Sequence, residues 1–320
     1  MTIGARVLWR QIAAAPGAAT TIFIAVLLTA LFITAVPRLL ERVSTEDLRE
    51  GMAEAEPEQR NLTAETVGRL GAGGRADPFS TVAGRGEAVL QQGFPESVKS
   101  IVTETRFLVE SAQFAVSSFP DAETGPFPTF FRFRYQEVIE GELDVIDGST
   151  PAVREPIPML VGLECPDDPL DTEGFEETPD IDCRLVDTPV FETAITADTA
   201  EAMMLDVGDQ VLLHPDTSDH LWGLGALGQQ EGYVLAISGI IELSDIDEEL
   251  WFADPALHRP RIRENPDFRL IFATGVMAEE SYGPMLEDVP FRYTWRYFVD
   301  PGLVDAGDAV ALRADLDKIL

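Results

Sequence analysis

Residues 18–36 read AATTIFIAVLLTALFITAV, 19 positions without a charge. As an α-helix rising 1.5 Å per residue, this run spans about 28 Å, close to the hydrocarbon thickness of a bilayer. No second run of the kind follows, and beyond Glu41 the chain is rich in carboxylates. The sequence therefore predicts a single membrane span that carries a large acidic domain in water.

A cleaved signal peptide is the competing reading of the same stretch. Such a peptide has a basic start, roughly 7–15 apolar residues and a small-x-small cleavage site. Arg6 and Arg10 supply the basic start. The apolar run is too long, and Ile33-Thr34-Ala35 and Thr34-Ala35-Val36 are poor cleavage sites, so an anchor is the preferred reading. Arg6 and Arg10 precede the span with no acid among them, while Arg38 and Arg42 give way to a dense acidic tract. Short basic flanks stay cytoplasmic, so the N-terminus is placed on the cytoplasmic side of the cell membrane and residues from about 40 onward outside. Residues 2–12 (TIGARVLWRQI) put Ile3, Val7, Leu8 and Ile12 near one face, which suits a short interfacial helix with Trp9 at the headgroups. A featureless N-terminus is the alternative.

The chain has 23 basic and 56 acidic residues, a net charge of −33. Setting aside residues 1–42 leaves 19 basic and 55 acidic residues. Such a surface repels phosphate backbones, which argues against a nucleic-acid partner. A cationic partner is compatible with it, and so is a plain solvated acidic coat. Cys165 and Cys183 flank the acidic, Pro-containing stretch PDDPLDTEGFEETPDID. An extracytoplasmic pair across such a loop reads as a disulfide.

The organisation expected is an interfacial helix (1–12), a transmembrane helix (13–36), a stalk helix (37–60), an extracytoplasmic α+β domain of one or two subdomains (61–303), and a C-terminal helix leading back to the membrane (304–320). Pro37 suits the first turn of a new helical segment, and Ser44 with Asp47 resembles a capping box. Strand character is read over residues 107–116, 130–146, 210–214, 233–243, 269–277 and 291–299. Helical character is read over 97–105, 201–205 and 310–320, and residues 67–78 read as a Gly-rich loop. Strands and helices mix without regular βαβ alternation, which favours α+β.

Chemical motifs are sparse. Residues 223–228 match GxGxxG by letter, but no strand precedes them and no helix follows, so a hairpin loop is the better reading. No GxxxxGK[ST], GxSxG or HExxH is present, and His258 stands alone. His214, Asp216, Asp219 and His220 (HPDTSDH) offer two imidazoles and two carboxylates to a transition metal, or equally a polar turn leaving a strand. Asp167, Asp168, Asp171 and Glu173 offer oxygens to Ca²⁺ without the spacing of a dedicated loop. Neither set matches a known ligand spacing. The expectation is no catalytic residue, no cofactor and no committed metal site.

Several segments, in order, resemble the first part of actinobacterial-type FtsX-like (MacB-like) permeases of ABC transporters. They are the basic start with one span and then VPRLL (36–40), PEQRNLT (57–63), Tyr135-Gln136, VIDGSTP (145–151), AITADTAEAMMLDVGDQVLL (194–213), the 238–255 segment with Asp247, Trp251, Phe252, Ala253 and Asp254, and Trp295-Arg296-Tyr297 followed by Asp300-Pro301. These are turn and packing signatures rather than catalytic ones. The resemblance implies a MacB-like periplasmic core fold, a separate cytoplasmic ABC ATPase, and a second permease copy or remaining permease half. Those permeases carry further transmembrane helices after the external domain, so the resemblance implies a truncated or split permease part. A stand-alone membrane-anchored binding or sensor domain is the alternative. A metal-dependent surface hydrolase built on HPDTSDH is the third reading.

Overall fold

The computed structural model describes residues 16–68, 79–118, 128–136, 143–162, 165, 169–170, 172, 175, 182–216, 218–219, 221, 232–243, 256–265, 268–282 and 289–319. The interfacial helix expected over 1–12 lies outside them.

Helix α1 (Pro16–Glu54) is a single element of 39 residues, about 58 Å long at 1.5 Å per residue. Pro37, expected to open a new helical segment, lies inside it. The helix runs through Pro37 and past Ser44 without interruption. Pro37 has no N–H, so the carbonyl of Ile33 loses its helical donor. The residues around it are strong helix formers (Leu39, Leu40, Glu41, Arg42), and they carry the helix across that single lost bond. Thr29 and Thr34 turn their hydroxyls back onto the carbonyls of Ala25 and Ala30, each at 2.8 Å, which keeps both polar groups paired within the helix. Leu27, Phe32, Ile33 and Leu39 are exposed. This is the one described helix long and apolar enough to cross a membrane.

After α1 the described elements are α2 (Pro57–Arg60), β1 (Leu62–Gly68), α3 (Phe79–Gly93), α4 (Glu96–Lys99), β2 (Val102–Ser111), β3 (Phe114–Ser118), β4 (Thr129–Gln136) and β5 (Leu143–Gly148). There follow β6 (Ile157–Val161), β7 (Arg184–Thr188), β8 (Val190–Thr196), α5 (Ala197–Met203), β9 (Gln210–Pro215) and β10 (Tyr233–Leu243). The chain ends with β11 (Arg261–Asn265), β12 (Phe268–Val276), β13 (Phe291–Val299) and α6 (Ala309–Leu316). They fall into two compact units.

The first unit combines the chain up to Ala55 with Pro95–Ile101 and Asp300–Leu320. Arg49 Nε donates to the carbonyl of Val304 at 2.8 Å. Thr45 Oγ1 accepts the Ala306 N–H at 3.1 Å and donates to Asp305 Oδ1. Ser97 in α4 donates to Asp315 in α6 at 2.7 Å. The hydrogen bond from Lys318, and after it that from Ser97, holds the Asp315 carboxyl below its usual range. Val304 and Thr45 are buried.

The second unit, Glu56–Phe94 with Val102–Val299, is built on one large mixed sheet. Its strands follow the order β1-β13-β2-β4-β3-β9-β10-β8-β12-β11, with β5 on β10 and a further pairing of β4 with β12. That extra pairing closes a circuit, β4–β3–β9–β10–β8–β12 and back to β4, in which β8 and β12 meet at Ala194 and Val276. The β10–β8 and β12–β4 ladders are parallel and the others antiparallel. The architecture is α+β, as the sequence predicts.

β10 and β13 have the bounds read from the sequence. β10 is flanked by β8 on one edge and by β9 and β5 on the other, and a strand covered on both faces carries a continuous apolar run. Its register on β8 shifts between Ile237 and Gly239, and a Cβ on Gly239 would lie 2.4 Å from the Ser149 carbonyl oxygen. The core is aromatic: Phe131, Phe133, Phe114, Phe191 and Tyr233 are buried, with ring centroids 5.2–5.9 Å apart, the spacing that ring quadrupoles favour. Helix α3 lies against β13, where Trp295 Nε1 donates to the Ala83 carbonyl at 3.2 Å and Tyr297 Oη to that of Gly86 at 3.0 Å. Burial, with the Glu87 carboxylate, pushes the Tyr297 phenol up to about 12.

Residues 130–146 divide into β4 and β5 rather than one strand. β6 pairs with β7 as a separate hairpin, and Cys165 and Cys183 form the expected disulfide, with Cα atoms 5.0 Å apart.

Candidate functional site

β4 reads TFFRFRYQ, and its side chains alternate between two environments. Phe131, Phe133 and Tyr135 enter the aromatic core. Phe130, Arg132 and Arg134 take the opposite face, as the two-residue period of a strand requires. The register extends that face across the sheet. Phe130 is opposite Phe272 and Arg132 opposite Thr274 on β12. Arg261 on β11 is opposite Phe272. Glu110 on β2 is opposite both Arg134 on β4 and Arg292 on β13.

All the residues of this face except the buried Arg134 line a cleft of about 510 Å³ with Arg259 and Gln113. Phe130 and Phe272 stack with centroids 5.1 Å apart. The guanidinium carbons of Arg261 and Arg263 sit 5.0 and 5.3 Å from the Phe272 centroid. Arg132 Nη2 donates to Asp219 Oδ2 at 3.0 Å, while its Nε is buried and makes no hydrogen bond among the described residues. Glu110 lies 3.9 Å from the fully buried Arg134. The described lining includes Thr274 but no His, Cys, Ser or Lys. Its chemistry is donation and positive charge.

The HPDTSDH segment borders this cleft through Asp219. Asp216 accepts Gln113 Nε2 at 2.7 Å and the Ser218 N–H and hydroxyl at 3.0 and 2.7 Å. Asp219 accepts the N–H groups of Gln113 and Leu221 at 2.9 and 3.1 Å as well as Arg132. Burial works against the Asp219 anion, but these donors and the Arg132 charge outweigh it and hold the carboxyl below its usual range. His214 leaves this network and meets Ser117 Oγ at 3.0 Å. The two carboxylates thus share Gln113 and shape a turn after β9, while His220 lies outside the described residues. Among the described residues, no group of three or more His, Cys, Asp or Glu is placed to hold a metal ion. Asp167, Asp168, Asp171, Glu173 and the glycines of 223–228 also lie outside. The His258 carbonyl accepts from Thr196 at 2.9 Å.

The cationic cleft was not read from the sequence. Its signal is arginine alternating with aromatics, in FRFRY (131–135) and FRYTWRYF (291–298). An alternation of this kind normally means a core face and a solvated face, and only the sheet order brings the arginines of three strands to one place.

No family model, curated protein or solved structure matches the chain.

Proposed function

We propose that the chain is a membrane component of an ABC transporter of the FtsX/MacB-like type, a non-catalytic permease part driven by a separate ATPase. α1 would cross the cell membrane with its N-terminus in the cytoplasm, and the sheet unit, of MacB-like periplasmic core type, would stand outside. The observation that carries this reading is the first compact unit. Residues 300–319, which follow the last strand of the sheet, come back to α1 through Arg49–Val304 and Thr45–Asp305. A domain inserted between two membrane segments must start and finish at one place. The ordered motifs from Val36 to Pro301 support the same reading. The Cys165–Cys183 disulfide supports an oxidising compartment for the sheet unit. The partners are a cytoplasmic ABC ATPase, a second permease copy or remaining permease half, and the bilayer.

A second reading, an anchored binding or sensor domain without an ATPase, is favoured by the arginine cleft. Purification of the tagged full chain in detergent from its native cells separates the two. Recovery of a P-loop subunit in near-stoichiometric amount is expected. A preparation without one overturns the transporter reading and leaves the anchored binding domain.

A further inference from the structure

We propose that the arginine cleft is a binding site for a small phosphate-bearing ligand, with its phosphate held by Arg259, Arg261 and Arg292 and its apolar part against the Phe130–Phe272 stack. The site is independent of the transporter reading.

The charge pattern is the first ground. Acids outnumber bases 56 to 23 in this chain, so an arginine placed without constraint meets a carboxylate. Four arginines instead line one cleft in which Glu110 is the single acid among the described lining residues. Arg132 is committed to Asp219, and Glu110 lies against Arg134. Arg259, Arg261 and Arg292 form no ion pair with a described carboxylate, and Arg292 forms none even though Glu110 is its register neighbour. Gathering like charges costs free energy through mutual repulsion, which an anion from outside offsets.

Geometry is the second ground. A planar guanidinium presents paired donors that match phosphate oxygens. A phosphate monoester brings about two charges and three acceptor oxygens, enough for three arginines, whereas a carboxylate brings one charge and two oxygens. The volume, about 510 Å³, is that of a small-molecule site. The stacked rings supply a flat apolar wall. Arg261, set over Phe272, is held near the ring by attraction to its face, so its donors lose less freedom when the anion arrives.

The test is titration calorimetry on the full chain in non-ionic detergent, with phenyl phosphate, inorganic phosphate, benzoate and short-chain dihexanoyl phosphatidic acid as probes. Phenyl phosphate is expected to bind more tightly than inorganic phosphate or benzoate, and to weaken as salt rises. The double variant Arg259→Gln/Arg292→Gln is expected to lose about tenfold or more in affinity, since each arginine supplies charge-assisted hydrogen bonds. The single variant Arg259→Gln should show a smaller loss in the same direction, and an unchanged melting temperature identifies either loss as local. Phosphatidic acid binding more tightly than phenyl phosphate assigns the ligand to a lipid headgroup, and equal binding assigns it to a soluble phosphate ester. Absence of binding by every probe, equal affinity in variants and wild type, or benzoate binding as tightly as phenyl phosphate overturns the proposal.

Discussion

Asp219 is nearly inaccessible and accepts from two backbone N–H groups and Arg132. Its folded-state pKa lies below the unfolded value of 3.8. Its contribution to stability is therefore complete above that value and is lost as pH falls through the lower, folded one. Acid unfolding monitored by circular dichroism should steepen below about pH 4, and Asp219→Asn should flatten that fall. At neutral pH, Asp219→Ala should cost about 2–3 kcal/mol in chemical denaturation, since it leaves buried donors unpaired. Tyr297 works at the other end of the scale. Its pKa is raised from 10.0 to about 12, so the phenol stabilises the fold fully below pH 10 and loses that contribution as pH rises through 12. Tyr297→Phe should remove part of the alkaline destabilisation and cost about 1 kcal/mol at pH 7 for the lost bond to Gly86. The role of Asp216 and Asp219 in a turn was legible in the letters HPDTSDH, because Pro, Asp and Ser are turn formers. The partner Arg132 was not, since it stands 87 positions away in sequence.

At the scale of elements, close approach decides. α3 nears β13 at Gly86, where a Cβ would sit 2.2 Å from the Trp295 ring. Gly86→Ala should therefore destabilise the sheet unit by about 1–3 kcal/mol through overpacking, despite the better helix propensity of alanine. A lowered melting temperature with a blue or red shift of tryptophan emission would register it. Strands covered on both sides, such as β10, announce themselves by unbroken apolar runs, and aromatic-rich β13 does so by its β formers. β6, β7 and β11 are short and hold Pro158, Asp187 or Arg and Glu, so nothing local marks them. They depend on pairing for their conformation. The uninterrupted α1 makes the same point in reverse, because Pro37 carried a local signal to stop that its neighbours overruled.

For the whole molecule, the disulfide and the helix unit each give a measurable consequence. Reducing Cys165–Cys183 should lower stability by about 3 kcal/mol, the chain-entropy value for a loop of this length. In intact cells, a membrane-impermeant maleimide added after reductant should label both cysteines if the sheet unit is outside. Protection until the cells are lysed would reverse the proposed orientation. Arg49→Ala removes the donor to Val304 and should cost about 1 kcal/mol, read as earlier proteolysis of residues 300–319. The sheet order also has a consequence in time. Among the described strands β1, the first, pairs with β13, the last, with Leu62 opposite Tyr297. Pairing between such distant residues makes folding slow. Synthesised or translocated from its N-terminus, the chain must hold β1 open until nearly the entire domain has emerged. The edge left waiting is a site for misassociation, so maturation of this protein is expected to depend on a chaperone acting on the unfinished sheet. Pulse-chase protease resistance should accordingly appear only after residue 299 is complete, and a chain stopped before β13 should remain sensitive throughout.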